Sequence, residues 1–93
     1  MTPDELLPRL KELLVASLRL EGLRAEDVAD DELLVGGRLG LDSVDALELV
    51  VAIEREFGLA IPGEEIGGEA FATPRTLARW LAPRLEPATR GSA

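Results

Sequence analysis

Gly40-Leu41-Asp42-Ser43-Val44-Asp45-Ala46-Leu47-Glu48-Leu49-Val50 is the stretch whose reading decides the fold. Glycines and one arginine (Gly36, Gly37, Arg38, Gly40) lead into Asp42, and from Val44 to Phe57 there is neither Gly nor Pro, which predicts a helix over that span. Asp42 stands where the N-cap belongs. Its carboxylate can accept from the orphan amides of the first turn, and Asp45 adds a second acid where the helix dipole favours negative charge. Ser43 then falls at the first helical position, with an exposed and fixed hydroxyl. A phosphate there would sit at a helix N-terminus, a favourable place for an anion, although the flanking acids offset part of that gain.

At about 100° per residue, Ala46, Leu49, Val50, Ile53 and Phe57 share one arc and form a core stripe. Val44, Leu47 and Val51, at i, i+3 and i+7, fall on the other side beside Glu48, Glu54 and Arg55. Such an apolar strip rimmed by charge marks a docking face. The alternative is a helix buried on two sides.

The run Asp42-Ser43-Val44-Asp45, then Leu47-Glu48-Leu49 and Ile53-Glu54-Arg55-Glu56-Phe57-Gly58, closed by Ile61-Pro62, resembles the acyl carrier protein pattern. The resemblance covers the chain from the first helix to about Leu85. It implies an all-α, four-helix bundle with a short third helix and a long first loop, as one carrier domain over residues 1–85 followed by a flexible tail over 86–93. It also implies that Ser43 carries 4′-phosphopantetheine, donated from coenzyme A by a phosphopantetheinyl transferase, and that acyl groups ride as thioesters on its thiol and are presented to fatty acid, polyketide or specialised lipid biosynthetic enzymes. Asp42 and Asp45 would orient the site and engage the transferase. By the same resemblance, Val44, Asp45, Leu47, Glu48 and Val51, with Glu54 and Arg55 beside them, match positions read by partner enzymes: an acyl-loading enzyme, and a ketosynthase or acyltransferase with basic docking patches. Leu49, Val50, Ile53 and Phe71 would bound an interior able to admit part of an acyl chain if the helices part. Arg55, where many family members are acidic, points to a dedicated partner set. The Gly-Leu-Asp-Ser lead-in favours an acyl carrier over a peptidyl carrier, whose pattern is Gly-Gly-His-Ser.

Composition agrees with a carrier and removes other classes. The chain has 93 residues, a single small domain's worth, with no Cys and no His. Disulfides and thiolate metal sites are therefore impossible, the prosthetic thiol would be the molecule's only one, and the commonest general base is missing. No catalytic residue and no metal site is expected. A serine hydrolase built on Ser43 is remote for the same reason. The formal net charge of −8 argues against nucleic acid. From Asp42 to Glu65 seven acids face one base, Arg55, a surface that either steers basic partners or only keeps the chain soluble. No apolar run approaches the roughly 20 residues of a membrane span, and no signal peptide is visible, so a monomeric cytoplasmic protein is expected. Met1 favours a free-standing protein. The rival from another class is an unmodified carrier-like module that docks through its acidic helix.

Outside the central helix, Thr2-Pro3-Asp4-Glu5 predicts a capping box opening a helix over about Asp4–Leu20, with Pro8 either kinking it or marking its start. Ser17, inside that helix, is a poor modification site. In the connection from Glu21 to Leu41, Leu23, Val28, Leu33, Leu34 and Leu39 are expected to pin the chain to the core, with a short turn near Glu26–Asp30. The acids Asp27, Asp30, Asp31 and Glu32 fail the calcium-loop pattern and read as solvated. One helical turn is expected at Glu64-Glu65-Ile66, ended by Gly67-Gly68, with Phe71 as an anchor. Thr73-Pro74 opens the last helix, where Trp80 reads as core packing or as a contact for cargo or partner.

Overall fold

Thr2 and Glu5 open the first helix by exchanging hydrogen bonds: the Thr2 amide donates to Glu5 Oε1 at 2.8 Å and the Glu5 amide donates to Thr2 Oγ1 at 3.2 Å. This is the capping box that the sequence predicts. The computed structural model describes residues 2–18 and 22–85. In chain order these form α1 (Pro3–Ser17), a 3₁₀ turn (Ala25–Asp27), α2 (Ser43–Phe57), α3 (Gly63–Ile66), a second 3₁₀ turn (Glu69–Phe71) and α4 (Pro74–Arg84). No strand occurs among the described residues, so the chain is the expected four-helix bundle with a short third helix. Helix α1 runs through Pro8, which stands inside it, and ends at Ser17. The last two residues expected in that helix, Arg19 and Leu20, lie outside the described residues, as does the expected tail over 86–93.

Helix α1 packs chiefly on α4 and then on α2. Leu6, Leu10 and Leu14 from α1, Leu49, Val50 and Ile53 from α2, and Leu77, Ala78 and Leu81 from α4 are all buried. Each of the leucine, valine and isoleucine side chains contributes about 1.5–3 kcal/mol on burial, so the three stripes hold the bundle. Phe57, placed with the core stripe by its angle, is partly buried, and Arg9 lies over its ring at 5.3 Å while bonding Glu56 at 2.8 Å. Gly58 closes α2 in the left-handed region at φ 68°, which a side chain would strain. No helix is long and apolar enough to cross a membrane among the described residues.

The long first loop is held by more than its apolar residues. Val28, Leu34 and Leu41 are buried as pins, and Leu23 and Leu39 pack partly on the core. Leu33 corrects the expectation that it too is a pin, because it is 53% exposed. Leu34 is seated by its N–H, which donates to the Ala72 carbonyl at 2.9 Å, and the bend that begins there leaves Val35 outward as well, at 44% exposed. Close approach fixes the following turn, where a Cβ on Gly37 would lie 2.8 Å from Leu33 Cβ.

The acids of this loop are not merely solvated, which is a second correction. Asp30 pairs with Lys11 of α1 and Arg75 of α4, Asp31 accepts from Arg75 Nε at 2.8 Å, and Glu32 accepts from Arg38 at 2.6 Å. The Arg75 guanidinium bonded to Asp31 holds that carboxyl below its ordinary range. Arg38, with the Ala29 amide, does the same to Glu32. Two backbone bonds complete the lacing: Leu34 N–H donates to the Ala72 carbonyl and Arg75 N–H to the Asp30 carbonyl, each at 2.9 Å. The loop thereby docks on the connection between α3 and α4, whose caps, Thr73 Oγ1 accepting from the Thr76 amide among them, follow the predicted start at Thr73-Pro74.

Candidate functional site

Ser43 is exposed at the first position of α2. Asp42 Oδ1 accepts from the Val44 and Asp45 amides at 3.0 Å each, and Asp45 Oδ2 accepts from the Asp42 amide at 3.0 Å. The sequence assigns Asp42 to the cap; the reciprocal bond from Asp45 goes beyond it and completes a capping box made of two aspartates. These bonds lock the backbone on both sides of Ser43 and leave its hydroxyl outside the network. Ser17, by contrast, is half-buried, with its hydroxyl turned toward the Leu14 carbonyl at 3.5 Å.

The second face of α2 is open. Val44 is 65% exposed, Leu47 51% and Val51 45%, which excludes a helix buried on both sides. Glu48 and Arg55 are exposed beside them, and Arg55 enters none of the ion pairs among the described residues. Glu54 sits differently. It is half-buried and its Oε2 accepts from the Ile61 amide at 2.8 Å, which ties α2 to the segment leading into α3.

Next to Ser43 opens a cavity of about 360 Å³, with Ser43 itself on its wall. Leu33 and Val35 line it from the loop, and Ile66, Gly67, Gly68 and Phe71 line it from the α3 segment. No charged side chain faces into it. Of the four interior residues expected to bound an acyl pocket, Phe71 reaches this cavity, whereas Leu49, Val50 and Ile53 are packed into the core. The exposed Leu33 and Val35 were missed as site residues. The only signal in the sequence that could find them is their position just before the Gly-rich turn that leads to Asp42. Trp80 does not line this cavity: it is half-buried against the core, and the Arg84 guanidinium lies 3.8 Å from its ring centroid. No cluster of metal-binding side chains occurs among the described residues.

Residues 9–81 match the family described as the phosphopantetheine attachment site. The chain is also 37% identical over 76 residues to Aminoacyl carrier protein 1 of Bradyrhizobium diazoefficiens, an alignment covering 82% of each protein. The geometry fits the family's prosthetic group, since a free hydroxyl at a capped helix start, beside a cavity without charge, leaves a covalent arm both an anchor and space. When bound, that group supplies a thiol that holds carboxylic groups as thioesters. The chain belongs to the phosphopantetheine-bearing acyl carrier protein family, whose members are non-catalytic carriers with 4′-phosphopantetheine as covalent cofactor, served by a phosphopantetheinyl transferase and by acyl-handling enzymes.

Proposed function

We propose that Ser43 is the residue that carries the arm, and that the chain presents a small carboxylic cargo, an aminoacyl group, to its partner enzymes. The observation that carries the first half is the exposed Ser43 hydroxyl, left outside a capping box that fixes the backbone around it. Its support for the second half is the kinship at 37% identity with a protein named for aminoacyl carriage. Asp42 and Asp45 hold the helix start in the form the transferase meets. Val44, Leu47 and Val51 dock in the helix-in-groove manner, and Glu48 and Arg55 set the charge pattern that selects the partner. Glu54 serves the fold more than the interface, because its carboxylate is committed to Ile61.

The test is intact mass before and after incubation with coenzyme A and a broad-specificity phosphopantetheinyl transferase, with Ser43→Ala as control. A gain of one phosphopantetheine in the wild type and none in the variant is expected. No gain in a folded, unmodified protein would overturn the reading in favour of an unmodified docking module. Cargo is read from the mass of the thioester on protein purified from its own cells: an amino acid is expected, and a long saturated chain would return the protein to fatty acid or other lipid assembly.

A further inference from the structure

We propose that Asp30 guards the carried thioester by withholding Lys11, the one side-chain amine of this chain able to take an acyl group from it. This rests on the carrier reading, with the arm on Ser43. The reaction withheld is acyl transfer from sulfur to nitrogen. The amine bonds the thioester carbonyl carbon, the carbon–sulfur bond breaks, and the proton from nitrogen passes through solvent to the departing thiolate. Cargo moved in this way is stranded on the protein as an amide.

The sequence limits which groups can take part. Of the ten basic residues Lys11 is the only lysine, the rest are arginine, and there is no Cys and no His. A guanidinium stays protonated in a protein and offers no lone pair, whereas a lysine amine becomes a nucleophile once it loses its proton. The two basic residues nearest to Ser43 along the chain, Arg38 and Arg55, are both exposed and both of the inert kind. Exposed positive charge near the arm therefore comes without an exposed nucleophile.

Lys11 is the exception, and its surroundings differ accordingly. Its side chain is 15% exposed, and Nζ donates to Asp30 Oδ1 in an ion pair. The pair stands behind the site. Arg75 N–H donates to the Asp30 carbonyl and Leu34 N–H to the Ala72 carbonyl, and Leu33, Val35 and Ala72 from this same lacing line the cavity beside Ser43. Room for an acyl group is also present, because Lys11 and Asp30 border an open cavity of about 420 Å³, walled further by Asp4, Glu12 and Glu26. What keeps the amine out of the reaction is the pair itself: while Nζ donates to a carboxylate, attack on a thioester requires that bond to break first. The loop has other tethers, Asp31 on Arg75 Nε at 2.8 Å and the two backbone bonds, so its seat does not depend on Lys11 alone.

The experiment uses the full chain, loaded with an acetylated arm from acetyl-coenzyme A by a broad-specificity phosphopantetheinyl transferase and held in mildly alkaline buffer. Hydroxylamine then strips thioesters and leaves amides, and intact mass with peptide mapping counts and places the resistant acetyl groups. In the wild type the acetyl group is expected to stay on the arm. Asp30→Asn is expected to acetylate Lys11 roughly tenfold faster, the reach of one charge-assisted hydrogen bond, and Asp30→Asn/Lys11→Arg to lose that product. Arg55→Lys, which leaves the lacing untouched, is expected to gain a resistant acetyl group at the substituted position. Acetylation of Lys11 no faster in Asp30→Asn than in the wild type overturns the guard while leaving the carrier reading intact. An Arg55→Lys variant that stays free of resistant acetyl also overturns it, since an exposed amine would then need no guard. Failure to gain the acetylated arm at all overturns the attachment at Ser43, and the guard with it.

Discussion

Replacing Glu54 by Ala tests whether this acid belongs to the fold or to the interface. Its Oε2 is the acceptor for the Ile61 amide at 2.8 Å, and Ile61 is 7% exposed, so truncation strands a backbone donor where water scarcely reaches. A hydrogen bond to a charged group contributes about 1.5–3 kcal/mol, and an unsatisfied buried donor costs a similar amount. We expect Glu54→Ala to destabilise by about 2 kcal/mol, or roughly 8–16 °C in melting temperature for a domain of this size. Glu54→Gln keeps an acceptor oxygen and should lose less than about 1 kcal/mol. Thermal and urea unfolding followed by far-ultraviolet circular dichroism give both numbers. An Ala variant within about 0.5 kcal/mol of wild type, the range of an ordinary surface change, would refute the reasoning, as would equal losses for Ala and Gln. A Gln variant that is stable but modified more slowly by the transferase would restore Glu54 to the interface.

Three further outcomes are expected. Asp42→Ala removes the acceptor for two amides and should cost about 1 kcal/mol, whereas Ser43→Ala, outside the cap, should stay within about 0.5 kcal/mol of wild type in the same unfolding assay; equal losses would place the cap elsewhere. Leu47→Ser/Val51→Ser, both exposed positions, should leave stability within about 0.5 kcal/mol yet slow modification by the transferase, and an unchanged rate would remove the strip from the docking face. Acidification should loosen the first loop. The folded-state pKa values of Asp31 and Glu32 are depressed by Arg75 and Arg38, so their stabilisation is complete above the ordinary values of 3.8 and 4.5 and is lost as pH falls below them. The Asp31→Asn/Glu32→Gln variant should therefore show a shallower fall in stability between about pH 5 and pH 3, and slopes equal to wild type would refute the pairing.

What the sequence made legible is what local chemistry determines. The start of α2 at Asp42-Ser43, the box at Thr2, the cap at Thr73, the one-turn α3 and the exposed strip on α2 each follow from residue types at fixed offsets. Leu33 and the loop acids were misjudged because their fates are decided by distant partners. Whether Asp30 and Asp31 are solvated or paired depends on Lys11 and Arg75, and the separation along the chain from Asp31 to Arg75 is 44 residues. Glu54 shows the same limit at shorter range. Its place among the acids of α2 points to the interface, while its contact with Ile61, seven residues on, arises only when the chain turns back after Gly58.

The site is consequently assembled by two devices of different reach. The capping box fixes where Ser43 points, using bonds confined to three residues. The cavity wall depends on the lacing of the loop to α4, because Leu34 is registered by the Ala72 carbonyl and Asp30 by the Arg75 amide and side chain. Single exposed ion pairs contribute little, so the loop owes its seat mainly to buried Val28, Leu34 and Leu41. The charges and the two backbone bonds add tethers on either side of Leu34. The start of α2 and the cavity wall beside it are thus held separately, the first by the bonds of Asp42 and Asp45, the second by buried Leu34 and the pairs of Asp30.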